Sequence, residues 1–201
     1  MKNKGLLFVV SGPSGVGKGT ICQEYVKTHD DSVLSISATT RAPREGEKHG
    51  VNYYYITNEE FEAGIAKGEF LENAVFCGNR YGTPKKAVLE MLESGKNVIL
   101  EIEVQGAMQV RSHYPEGVFV FVIPPSLQEL ENRLRGRNTE TDDVIKKRLE
   151  RAKQEFALCE KYNYILMNDN LGDALSELEA IMKAEKCYMP RNIEFIKKEF
   201  C

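Results

Sequence analysis

The chain has 201 residues, 42% of them hydrophobic, enough to bury a full core in one large domain or in a core that carries smaller mobile lobes. Its 27 basic residues against 30 acidic ones leave a formal charge of -3, so no global field draws it to nucleic acid or to an anionic membrane. Five scattered cysteines without C-x-x-C spacing exclude a disulfide framework and a zinc site, and the lack of a secretory run or of ~18 consecutive apolar residues points to the cytoplasm.

Leu6 to Val10 is an uninterrupted apolar run ending in a Gly/Ser turn, the pattern of a strand buried on both faces of a parallel sheet. From Lys18 to about Thr28, the residues Ile21, Cys22, Tyr25 and Val26 fall at helical spacing. Residues 37–83 break the rhythm: a loop rich in Arg, Glu and Gly precedes VNYYYI and EFLENAVFCGNRYG, short strands with one helix between, which suggest a small separate lobe. The spacing then predicts a helix over 84–94, strands over 97–103 and 117–123, and helices over 126–135 and 141–159. The last two are joined by GRNTETDD, with Thr141 placed as an N-cap. A strand over 163–168 and a helix over 171–188 follow, and the tail after Pro190 is amphipathic. Such alternation of β and α predicts an α/β fold, a parallel sheet covered on both faces that binds ligands at the C-terminal ends of its strands.

GPSGVGKGT, residues 12–20, joins the first strand to the first helix. Gly12, Gly15, Gly17 and Gly19 let backbone N–H groups converge on a phosphate, the helix adds its positive N-terminal end, and Lys18 brings a mobile charge to the β and γ phosphates. A turn that merely connects two elements has no need of that lysine. The expected ATP site is therefore the whole run Gly12, Pro13, Ser14, Gly15, Val16, Gly17, Lys18, Gly19 and Thr20. Ser or Thr usually follows the lysine and ligates Mg²⁺, but here Gly19 does. Thr20 is no substitute, because at 3.6 residues per turn it points about 100° away; phosphate contact is its expected role. The expected metal-side carboxylate is Glu101, which ends the strand NVIL and acts through water, with Mg²⁺ held mainly by ATP phosphates. His29, His49 and His113 lie far apart and are not expected to bind metal.

TTRAPREGEKHGVNYYYI, residues 39–56, places Arg41 and Arg44 three apart with tyrosine hydroxyls downstream. Read alone, it is either a fork for a second phosphate or a solvated charged loop. At Thr39, Thr40, Arg41, Arg44, Glu47, Gly50, Tyr53 and Tyr55 it resembles the guanylate kinase signature. The resemblance continues through FLENAVFCGNRYGTP (70–84), ILEIEVQGA (99–107), RLRGRNTETDDVIKKRL (133–149) and NYILMNDNL (163–171), so it covers nearly the whole chain.

That resemblance implies a single α/β domain, a P-loop three-layer fold with a parallel sheet, a small mixed GMP-binding lobe and a helical lid. The core would comprise residues 1–35, 84–125 and 159–201, the lobe 36–83 and the lid 126–158. The guanylate phosphate would be held by Arg41, Arg44, Tyr53 and Tyr81, and the base read by Ser37, Glu72, Thr83 and Glu103. Lid residues Arg133, Arg137 and Arg148 would touch the transferring phosphates, and Asn168 the adenine. Chemistry supports the two acids, since guanine offers adjacent N1–H and N2 donors to a carboxylate whereas adenine presents an acceptor at N1.

The activity implied is transfer of the γ phosphoryl group of ATP to GMP or dGMP, giving ADP and GDP, in purine nucleotide metabolism. The acceptor oxygen is ionised or nearly so at neutral pH, so no general base is needed, and catalysis rests on Lys18, Mg²⁺ and the lid arginines. Partners are ATP and GMP, without nucleic acid or membrane, and a homo-oligomer is compatible with the sequence. Two readings compete: a guanylate-kinase-like scaffold domain, against which the intact glycine cradle, Lys18 and the lid arginines argue, and a kinase for another monophosphate, against which Glu72 and Glu103 argue.

Overall fold

The structure, a computed structural model, describes residues 4–76, 78–136 and 141–200. The chain runs through β1 (Leu7–Ser11), α1 (Lys18–Thr28), β2 (Ser32–Leu34), β3 (Ala38–Thr39), β4 (Tyr54–Tyr55), α2 (Asn58–Ala66), β5 (Phe70–Phe76), β6 (Asn79–Pro84) and α3 (Lys85–Glu93). It continues through β7 (Asn97–Glu101), α4 (Val104–His113), β8 (Val118–Ile123), α5 (Leu127–Arg135), α6 (Asp142–Phe156), a 3-10 turn at Cys159–Lys161, β9 (Tyr164–Met167), α7 (Leu171–Cys187) and α8 (Met189–Phe200).

Every residue of β1 is buried because it is the central strand of a five-stranded parallel sheet in the order β2-β7-β1-β8-β9. Alternate side chains of a strand face opposite sides of the sheet. Phe8 and Val10 therefore join Ile21 and Cys22 of α1, Leu130 and Leu134 of α5, Ile145 of α6 and Leu178 of α7 in one cluster. Leu7 and Val9 point the other way, into a second cluster with Val88 and Leu92 of α3, Val110 of α4 and Leu71 of β5. Each such fully buried side chain contributes roughly 1.5–3 kcal/mol. With both faces covered, the sheet leaves its carboxyl edge as the open place, and the loops after β1 and β7 meet there.

A second, four-stranded sheet, β4-β3-β6-β5, stands beside that edge. It is mixed, with β3 parallel to β4 and the other pairs antiparallel. Helix α2 covers it, entered by a capping box in which Thr57 and Glu60 bond reciprocally, and Phe61 of α2 stacks on Phe70 of β5 at 4.6 Å.

One expectation is corrected. The strand expected over 97–103 ends at Glu101, because Glu103 turns to become the N-cap of α4. Helix α4 itself had no sequence expectation. Thr141 does occupy the N-cap of α6, but its side chain makes no capping hydrogen bond.

Candidate active site

The loop from Gly12 to Gly17 curls between β1 and the first turn of α1, which begins at Lys18. Gly17 has φ +93°, and a Cβ there would lie 2.2 Å from the side-chain nitrogen of Asn168, so backbone and space both demand glycine. Asn168 follows β9 and donates from Nδ2 to the Val16 carbonyl at 2.7 Å, bracing the loop from behind. Lys18 is buried, and its Nζ donates to the carbonyls of Gly12 at 2.6 Å and Pro13 at 3.3 Å. The lysine thus lies folded over the cradle it would share with a triphosphate.

Helices α5 and α6 sit on this cradle. A Cβ on Gly15 would meet Leu134 at 2.9 Å and Leu130 at 3.1 Å, so the apolar face of α5 rests directly on the loop. From α6, Arg148 Nη1 donates to Ser14 Oγ at 2.7 Å. Arg133 is half-buried on α5 and its Nε bonds Glu129 at 2.8 Å, one turn back. Arg137 lies outside the described residues.

Facing the cradle is a cleft of about 270 Å³. Seven expected acceptor-side residues line it: Ser37, Arg41, Arg44, Tyr53, Glu72, Tyr81 and Glu103. The eighth, Thr83, is fully buried and donates to Glu72 Oε1 at 2.7 Å. Burial pushes the Glu72 carboxyl up to about 7, with the Thr83 hydrogen bonds opposing. Arg41 lies 5.5 Å from the Tyr53 ring centroid and 6.0 Å from that of Tyr55.

The clamp on Arg41 is Glu47, a signature residue to which sequence reasoning gave no role. Both its oxygens accept from Arg41 Nη2 at 2.9 Å, while Oε2 also accepts from the Arg44 backbone N–H at 2.7 Å and the Tyr55 hydroxyl at 2.8 Å. The Arg44 N–H, followed by Tyr55 and Arg41, holds its carboxyl down at about 2. Glu47 therefore stays charged, and the fork it orients keeps its shape at any physiological pH.

Cradle and cleft meet at two acids. Glu103 stands 3.6 Å from Lys18 Nζ. Glu101 opens on the cleft at the end of β7, and a Cβ on Gly19 would come within 3.6 Å of its Oε2. Glu101 is exposed at the cleft, yet desolvation by the surrounding protein raises its pKa, Lys18 opposes, and Glu103 adds to the rise. Among the described residues no three acidic, His or Cys side chains converge as a metal cage. A single carboxylate beside the cradle nevertheless fits Mg²⁺, which takes most of its oxygens from phosphates and water. One residue of this neighbourhood escaped sequence reasoning: Glu155 of α6 is buried, bonds Arg151 at 2.8 Å, and has its pKa raised by burial.

A family model described as guanylate kinase matches residues 4–185. The guanylate kinase of Clostridium perfringens (strain 13 / Type A) is 52% identical over 189 residues, spanning 94% of this chain and 88% of that protein. That of Halalkalibacterium halodurans is 54% identical over 194 residues, spanning 96% and 95%. The fold is similar to the crystal structure of guanylate kinase from Anaplasma phagocytophilum, with a TM-score of 0.79 at 31% identity over 99% of this chain and 97% of that one.

Proposed function

The chain belongs to the guanylate kinase family and is an ATP:GMP phosphotransferase, and on that premise we propose how its residues divide the work. The observation that carries the assignment is the pair of anion sites, a glycine cradle and an arginine fork, that open toward each other across Lys18, Glu101 and Glu103.

ATP lies with its phosphates on residues 12–20 and its adenine toward Asn168. GMP enters the opposite cleft, its phosphate on Arg41, Arg44, Tyr53 and Tyr81 and its guanine on Ser37, Glu72, Thr83 and Glu103. The ionised Glu72 carboxylate accepts from guanine N1–H and N2, an arrangement that the N1 acceptor of adenine repels. Residues 1–35, 84–125 and 159–201 act as the core, 36–83 as the GMP lobe and 126–158 as the lid.

A GMP phosphate oxygen attacks the γ phosphorus, forming one P–O bond as the bond to the β–γ bridging oxygen breaks, and ADP carries the charge away. Lys18 follows the β and γ oxygens. Arg133, Arg137 and Arg148 bring positive charge from the lid to the oxygens on which charge accumulates. Glu101 would hold Mg²⁺ through water, and the ion would supply further neutralisation of the phosphate charge. Closure of lid and lobe keeps water from competing as the acceptor. The enzyme acts in the cytoplasm; among the described residues no helix is long and apolar enough to cross a membrane.

The test is a coupled assay of ADP formation with ATP and Mg²⁺, comparing GMP with AMP and UMP as acceptors. Turnover is expected with GMP alone, and equal rates with AMP would overturn the role given to Glu72.

A further inference from the structure

Gly106 sits in the first turn of α4, and glycine is a poor helix former. Its backbone does not call for it, since Gly106 is not among the residues with positive φ. Space does. A Cβ at this position would lie 2.5 Å from Glu72 Oε2, 3.1 Å from its Cδ and 3.4 Å from its Cγ.

Neither partner is free to step aside. Glu72 Oε1 is held by the Thr83 hydroxyl at 2.7 Å, and the side chain is 5% exposed. Helix α4 is locked to β5 by Gln109, which accepts from the Asn73 N–H at 3.1 Å and donates to the Asn73 carbonyl at 2.7 Å. The same helix has Glu103 as its N-cap. One element thus carries one acid of the cleft and makes room for the other.

We propose that Gly106 is a specificity-determining position: the missing side chain leaves the space in which the Glu72 carboxylate turns toward the guanine edge. This rests on the base-reading role given above to Glu72. Alanine at 106 forces that carboxylate away from Thr83 and out of line with the N1–H and N2 donors. The three atoms nearest a Cβ at Gly106 all belong to Glu72, so the effect falls on base recognition.

The experiment compares GMP with inosine monophosphate, which keeps N1–H but lacks the 2-amino group, as acceptors. Gly106→Ala is expected to cut the preference for GMP in kcat/KM by about tenfold or more, with KM for ATP unchanged. A merely structural role would depress both acceptors alike and leave the ratio intact, which overturns the proposal. Glu72→Gln is measured alongside, and adding Gly106→Ala to it should change the ratio no further. If Glu72→Gln loses the preference while Gly106→Ala keeps it, the inference fails and the base-reading role stands. If Glu72→Gln keeps the preference, the base-reading role fails and the inference with it. Should Gly106→Ala not fold, Gly106→Ala/Glu72→Asp decides. The acid is then one methylene shorter, so recovered folding supports crowding at Glu72, and continued failure places the clash elsewhere and overturns the proposal.

Discussion

Glu72 has to be a charged acceptor in a place that disfavours charge. Burial raises its pKa to about 7 from the ordinary carboxylate value of 4.5. Because the folded-state value is the higher one, this group's contribution to stability is complete below about 4.5 and is lost as pH rises through about 7. The loss is on the order of 3 kcal/mol. In urea unfolding without nucleotide, wild type should weaken relative to Glu72→Gln between about pH 5 and about pH 8; parallel profiles would contradict the burial effect. The KM for GMP should also rise as pH falls below about 7, since guanine needs the ionised acceptor. Which acids and arginines line the cleft was legible through the resemblance to the family signature. What Glu47 and Gly106 do was not. Glu47 reads as one more charge in a charged loop until the fold turns it onto Arg41, and a glycine in a helical run reads only as a weak helix former.

At the scale of elements, the contact of α6 with the phosphate loop has a kinetic meaning. Arg148 bonds Ser14 of the phosphate loop, and the role proposed for it sets its charge on the donor side, beside the transferring group. Arg148→Ala should lower kcat by about a hundredfold or more while KM for GMP changes little; a rise in KM alone would contradict that role. The long apolar runs and strongly periodic helices were readable because burial on both sheet faces leaves an uninterrupted hydrophobic signature. Helix α4 was not, and the reason lies in its chemistry. Its first turn spends a residue on Gly106 to accommodate Glu72, and the acid at its N-cap looked like the end of the preceding strand.

Across the whole molecule, a hydrogen bond joins Asn168 to Val16 of the cradle, 152 residues earlier. Asn168→Ala leaves the carbonyl of the buried Val16 without its donor and the loop without its brace, at a cost of about 1–3 kcal/mol. The expected result is weaker ATP binding by about tenfold with GMP binding unchanged, read by calorimetry on each nucleotide; an equal loss for both would contradict it. The parallel topology was legible from the β/α alternation, but this brace was not, because a backbone carbonyl has no letter of its own.

The strand order adds a temporal consequence. β1 pairs with β7 from Leu7 to Val98 onward and with β8 from Phe8 to Val118 onward, so the phosphate loop leaves the ribosome about a hundred residues before the strands that hold it. An incomplete nascent chain therefore carries the glycines and the lysine without a shaped cradle. Fragments released early by a stalled ribosome would neither capture ATP nor squander it, and competence to bind the nucleotide waits for β7 and β8.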